Sequence, residues 1–306
     1  MTEPAIRVVS GVRAIVGEAP LWSAERRALY WIDGQRRLLL RLRDGVTETR
    51  DLPYRPSCLA PLADGRLLVG YKKGIGTFDF DSGHARQLPL EGVDLGEVSF
   101  NDGACDRAGR LWIGTRHREA RDPVAALYRF DPGFRATRVR DGIVLSNGIA
   151  FSPDGRWMYH ADSRPGRVDA YDLDPVGGAL PAPRVLVDYA GTGRRPDGLT
   201  VDAEGFLWVA EIDGSRVARY APDGRLDRAV ILPCRKPSSV AFGGPDLSTL
   251  FVTSISYGLT EEELAAQPCA GHVMALATDV AGLPEPPCHC LPEGDGGVLP
   301  RVAAPP

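Results

Sequence analysis

Six residues, Glu18, Ser57, Asn101, Asn147, Asp197 and Ser238, stand at nearly the same distance ahead of a short aromatic or aliphatic strand core. The cores read LYWID (29–33), LLVG (67–70), LWIG (111–114), MYHAD (158–162), LWVAE (207–211) and LFVTS (250–254). NDGACDRAGRLWIGT from 101, NGIAFSPDGRWMYHAD from 147 and DGLTVDAEGFLWVAE from 197 align from their first residues without a gap. The cores recur at intervals between about 38 and 50 residues, the length of a four-stranded propeller blade. Turns such as Asp64-Gly65-Arg66 and Asp154-Gly155-Arg156 precede them, with the glycines and aspartates that tight hairpins need. The pattern predicts an all-β, six-bladed β-propeller. Equivalent positions of a rotational repeat converge on one axis, so side chains far apart in sequence meet there.

A repeat running from about residue 15 to residue 280 of the 306 favours one domain over residues 1–306, with an irregular tail from about 285, rich in proline and glycine. With 43% hydrophobic and 25% charged residues the chain can bury a core and is not a disordered polymer. A net charge of -4 supplies no basic field for nucleic acid or anionic lipid, which leaves small-molecule chemistry. The start MTEPAIRVVSGVRAIVGEAP has no basic stretch leading into a long apolar core, and no window approaches a membrane span, so a cytoplasmic protein is expected. No heptad seam argues for an obligate partner, and a monomer is expected. Lysine occurs only at 72, 73 and 236, while arginine is abundant.

Six cysteines without an export signal are expected as reduced thiols, with Cys58 and Cys105 facing a sheet core. Cys288-His289-Cys290 looks like half of a metal motif but lacks the other half. Helical periodicity is confined to LTEEELAAQP (259–268), where Thr260 and Glu263 have the spacing of a capping box. The segment 271–284 reads as further strands of the sixth blade, and AIRVVSG (5–11) as a strand that joins them and closes the ring.

Glu18, Asn101, Asn147 and Asp197 offer carboxylate and amide oxygens with no histidine or cysteine nearby. Such a set, completed by water, suits one divalent hard cation: calcium first, then magnesium or manganese, with zinc and ferrous iron still open. The competing reading is that Asn147-Gly148, Asp197-Gly198 and Asp102-Gly103 are ordinary turns. Their common phase ahead of an innermost strand argues for a site. The five histidines are scattered and there is no G-x-S-x-G elbow, so no serine triad competes; His160 reads as a packed core residue.

The segments GEAPLW (17–22), FNDGACDRAGRLWIGT (100–115), LSNGIAFSPDGRWMYHAD (145–162), RPDGLTVDAEGFLWVA (195–210) and AGHVMALATDVAGLPEP (270–286) closely resemble the sugar-lactonase family of gluconolactonases and regucalcin, or SMP-30. The resemblance covers nearly the whole chain. It implies a divalent metal held by Glu18, Asn147 and Asp197, and a contact from Asn101 to substrate or metal-bound water. It also implies an arginine two residues before that asparagine, where this chain has Ser99, and an acidic substrate contact after the third core, for which Glu119 is the candidate. Arg116 and Arg118 beside it open a recognition rebuilt around cations, and Tyr257 is a further candidate for the mouth.

The function so implied is metal-dependent opening of a sugar lactone, as by a gluconolactonase, with the metal polarising the carbonyl and Asp197 orienting or deprotonating the attacking water. The alternatives are a related metal-dependent esterase or phosphotriesterase, favoured by Ser99, and a calcium-binding propeller without turnover.

Overall fold

The computed structural model describes residues 5–292. Its strands form six four-stranded antiparallel sheets. Five blades are continuous in sequence, spanning residues 17–51, 56–87, 98–143, 146–188 and 195–231. The sixth takes Pro237–Gly243, Thr249–Ser254 and Met274–Ala277 from the end of the chain and Ile6–Val8 from its beginning. Ile6 pairs with Leu276 and Val8 with Met274, so the outermost strand of the last blade is the N-terminal one. That join closes the ring without a covalent bond.

The core is divided into six apolar clusters, one at each blade-to-blade boundary. Leu21 and Tyr30 of the first blade meet Leu59 and Val69 of the second, and Trp208 of the fifth meets Phe242 and Leu250 of the sixth. Trp31 and Leu29 of the first blade pack on Phe251 and Val273 of the sixth, which completes the circle. The strand cores are apolar on both faces because each blade is sandwiched between two others.

Two of the repeated turns are built around a buried aspartate. Asp202 accepts from the amides of Glu204 and Phe206, both at 3.0 Å, and from Trp208 Nε1 and Arg219 Nε, both at 2.8 Å. Asp106 accepts in the same way from the amides of Ala108 and Arg110, and from Trp112 Nε1 at 2.9 Å and Arg110 Nε at 2.6 Å. This is why the repeat carries an aspartate six residues before its tryptophan in these two blades.

The helix Glu261–Ala266 forms with its capping box: the Glu263 amide donates to Thr260 Oγ1 at 3.2 Å, and the Thr260 amide to Glu263 Oε2 at 2.9 Å. The stretch read as further strands of the sixth blade holds only Met274–Ala277; beyond it, Gly282 bridges to Asp202 and the Ala203 amide donates to Ala281 O, so the chain crosses to the fifth blade. No strand or helix follows, up to residue 292, yet this segment is anchored. The amides of Cys288 and His289 donate to Pro61 O and Gly109 O, each at 2.8 Å, and Cys288 and Cys290 are buried in the cluster between the second and third blades with Cys58 and Cys105. Their thiols are core, all six cysteines are free, and His289 is exposed. The tail from 293 on lies outside the described residues.

Candidate functional site

Each innermost strand breaks register with its neighbour at the same place. The shifts fall between Glu18 and Leu21, Pro56 and Cys58, Phe100 and Gly103, Ser146 and Ile149, Pro196 and Leu199, and Pro237 and Ser239. The six repeated polar residues therefore sit at bulges. A bulge releases a residue from the ladder and re-aims its side chain, here toward the axis.

The glycines after these positions have a different role from the turn chemistry of the competing reading. Gly148 and Gly198 are not in the left-handed region. A Cβ on Gly148 would lie 2.5 Å from Asp197 O, and one on Gly198 would lie 2.1 Å from Ser239 Oγ. The next blade approaches there too closely for any side chain. The turn reading of Asn147-Gly148 and Asp197-Gly198 is thus replaced by one of close packing around the axis.

At one end of the axis a cavity of about 510 Å³ is lined by Glu18, Ser57, Ser99, Asn101, Asn147 and Asp197 among others. Asp102, Lys72 and Arg116 share it, and Tyr257, 63% exposed, stands at its mouth. Glu119 does not line it: its side chain is 60% exposed and paired with Arg121 at 3.5 Å. The other end of the axis holds a small cavity of about 70 Å³ walled by Leu283, Glu285 and Pro286 of the C-terminal segment, with Asp102 between the two.

The amide groups at the axis are oriented by an unambiguous chain of donors and acceptors. Ser163 Oγ donates to Pro196 O at 2.6 Å, so it can only accept from Asn147 Nδ2 at 2.7 Å. Asn147 Oδ1 is thereby turned the other way, where it accepts from Asn101 Nδ2 at 2.6 Å. That same Nδ2 also donates to Ser146 O at 2.8 Å, and Asn101 Oδ1 accepts from Lys72 Nζ at 3.0 Å. An ammonium only donates, so this contact fixes the Asn101 amide. Both Asn101 N–H groups are engaged, and the donor left over at this point is Lys72.

Burial raises Glu18 well above the usual carboxylate range, and the charges of Asp197 and Asp102 raise it further. Asp197 is raised by burial and then by Asp102, and burial pushes Asp102 up to about 6. Burial and the charge of Arg116 lower Lys72 to about 8, against the pull of Glu18. None of the three carboxylates is ion-paired to a Lys or Arg among the described residues; Arg195, whose charge acts on Asp197, is committed to Asp213 at 2.6 Å. The floor of the cavity therefore carries an excess of negative charge in a desolvated place, a condition that a bound divalent cation would relieve. Among the described residues no three His, Cys, Asp or Glu side chains gather at ligating spacing. The available set is two carboxylates with an amide oxygen, which fits a hard cation and not a thiolate metal.

Lys72, Asp102 and Ser163 were not singled out as site residues from the sequence. Asp102 was visible only as a turn residue, and Lys72 only as one of three lysines.

The family model of the SMP-30/gluconolactonase/LRE-like region matches residues 16–256. The chain belongs to this family. A 6-deoxy-6-sulfogluconolactonase from Pseudomonas putida is 38% identical over 277 residues, covering 89% of this chain and 94% of its own. An L-arabinolactonase from Azospirillum brasilense is 34% identical over 282 residues, covering 90% of this chain and 93% of its own. Among solved structures, a calcium-binding regucalcin from Agrobacterium tumefaciens superposes with a TM-score of 0.88 at 30% identity, over 93% of this chain and 97% of that one. The six-bladed propeller read from the repeat is thus also the fold of a family relative. Among the described residues no helix is long and apolar enough to cross a membrane.

Proposed function

We propose that this member of the SMP-30/gluconolactonase family hydrolyses a sugar lactone with the help of one divalent cation held by Glu18, Asn147 and Asp197. The observation that carries the reading is the convergence of these three side chains, each at the register break of its blade's innermost strand, on the floor of one cavity of about 510 Å³. Relatives named as lactonases along nearly the full length support the reaction class, and the calcium-binding regucalcin supports calcium as first candidate.

The bound cation would supply Lewis-acid polarisation of the lactone carbonyl. The protein's own contribution is positional. Asp197 is 5% exposed, faces the cavity, and holds the water that attacks the ring carbonyl, taking up its proton as the bond forms and returning it to the ring oxygen as the acyl C–O bond breaks. Asn101 fixes the Asn147 amide on one side and the Lys72 ammonium on the other. Lys72 then offers its remaining N–H groups to the substrate. The apolar wall of Val16, Ile32, Leu145, Ile212 and Ile255 keeps bulk water from the reacting atoms.

The test is hydrolysis of a lactone panel, gluconolactone and 6-deoxy-6-sulfogluconolactone included, by metal-stripped protein with calcium, magnesium, manganese, zinc and ferrous iron returned singly. Turnover that needs one of these ions and is lost in a folded Asp197→Ala variant is the expected result. Calorimetric binding of a metal without hydrolysis of any lactone would refute the reading in favour of a calcium-binding propeller. Turnover of aryl esters or phosphotriesters alone would shift it to that chemistry.

A further inference from the structure

The wall above the carboxylates is edged with Arg55, Lys72, Lys73, Arg116 and Arg118. In most of this molecule an arginine close to a cavity or a sheet face is answered by an acid: Arg41 by Asp81 and Glu48, Arg110 by Asp106, Arg195 by Asp213, Arg219 by Asp202, Glu204 and Asp227. Among the described residues the five cations of this wall have no such partner. Lys73 Nζ is saturated by the carbonyls of Leu95, Gly96 and Val98 at 2.6 to 2.8 Å. The Arg116 side chain makes a single hydrogen bond, from Nη2 to Arg118 O at 3.2 Å, although it is partly buried, and the charges that act on it are those of Arg164 and, unpaired with it, Asp197.

Arg116 also has a particular place. It lies directly opposite Ser99 on the adjoining strand of the third blade, and its backbone bridges to Leu145 at the start of the fourth. Directly opposed residues of an antiparallel pair project from the same face with their Cβ atoms about 5 Å apart. Both residues line the cavity, and the short Ser99 side chain leaves the space between them open to the guanidinium. A guanidinium held this way, short of hydrogen-bond acceptors, is suited to receive two oxygens of one anionic group.

We propose that the lactone opened here carries a second, permanently anionic oxygen group remote from the ring carbonyl, and that Arg116, opposite Ser99, receives it, with Lys72 and Arg118 adding to the attraction. The group is a sulfonate, a phosphate ester or a carboxylate; all three present the paired oxygens that Arg116 binds. This inference rests on the lactonase reading. Positive charge at the mouth and negative charge at the floor would orient such a substrate, anion outward and carbonyl toward Glu18 and Asp197.

The experiment compares kcat/KM for gluconolactone with that for the 6-sulfo, 6-phospho and 6-carboxylate rings, in wild type, Arg116→Met, Arg116→Lys and Arg118→Met. At least one anionic ring should exceed the neutral one by about tenfold or more, and that ratio should fall about tenfold in Arg116→Met, partly recover in Arg116→Lys, and shrink with added salt. A neutral ring preferred over every anionic one, or a ratio untouched by Arg116→Met, would overturn the proposal and leave the lactonase reading standing. If Arg116→Met does not fold, wild-type selectivity, its salt dependence and Arg118→Met decide. Calorimetry with the ring-opened acids, gluconate against 6-phosphogluconate, reads the same subsite without turnover. Arg116-dependent preference for 6-phosphogluconate over gluconate in a protein that opens no lactone would uphold the anion subsite while refuting the lactonase.

Discussion

Removing the Ser163 hydroxyl tests how the amide oxygen of Asn147 is aimed. Ser163 is 2% exposed, and its Oγ accepts from Asn147 Nδ2 at 2.7 Å and donates to Pro196 O at 2.6 Å. In Ser163→Ala both partners lose a bond inside the protein. At about 1 to 1.5 kcal/mol for each, the variant is about 2 to 3 kcal/mol less stable. For a chain of this size that is a fall in Tm on the order of 5 °C. The Asn147 amide, held afterwards only through Asn101, is free to rotate, and a ligand that loses its orienting partner typically weakens metal affinity about 10- to 100-fold. Isothermal titration of the metal-stripped protein gives the affinity and calorimetric melting gives the stability. Ser152→Ala is the control. Ser152 Oγ donates to Asp154 Oδ1 at 2.6 Å and accepts from the Trp157 amide at 2.9 Å, so it too loses two bonds, but in a turn outside the cavity. The control should melt lower with unchanged metal affinity. Metal affinity within twofold of wild type in Ser163→Ala would refute the argument, since Asn147 would then either not ligate or not need Ser163 to do so.

Two further outcomes follow from buried groups. Asp202→Ala leaves the Trp208 indole N–H and part of the Arg219 guanidinium without their acceptor at a site that is fully buried, and should lower the unfolding free energy by about 3 kcal/mol in urea denaturation. Asp223→Ala, on an exposed turn, should change it little. His160 is 1% exposed, bonded to Ser146 Oγ at 2.8 Å, and lowered by burial to about 3. Its folded pKa lies below the unfolded value, so the unfolded chain takes up the proton first. The contribution is intact above about pH 6.5 and declines as pH falls toward 3, by about 2 kcal/mol at pH 5. His160→Gln should flatten the stability profile between pH 7 and 5, and an equal slope in both proteins would count against the argument.

The blades were legible because a rotational repeat writes the same strand and turn six times, and a shared phase survives the variation of any one copy. Glu18, Asn147 and Asp197 were legible for the same reason, as each stands at one fixed place in its copy. The bulges were not, since a register shift depends on two strands and leaves no mark in either alone. The meaning of Gly148 and Gly198 was hidden with them, because the atoms that exclude a Cβ belong to the next blade. Lys72 lies just past the end of its strand core and reaches the cavity only through the docking of the second blade on the third, where the Phe100 amide donates to Lys72 O at 3.1 Å. Glu119 was the candidate for an acidic contact that the family resemblance places in the loop after the third core, and loop side chains have no phase to constrain them. The packed C-terminal segment has no periodicity either: its order comes from backbone hydrogen bonds at Ala281, Gly282, Cys288 and His289, and from two buried thiols.

The bulges separate two kinds of inheritance. The ladder on either side of each break sets the shape of the blade, while the residue at the break, the last paired one in the case of Glu18 and unpaired in the other five blades, turns its side chain toward the axis. At the mouth, by contrast, Ser99 and Arg116 are paired residues of one ladder, so an arginine can move from one strand to the position across from it without renegotiating the cylinder that holds them. Variation among descendants of this chain should collect at such mouth positions and spare Glu18, Asn147 and Asp197 at the breaks.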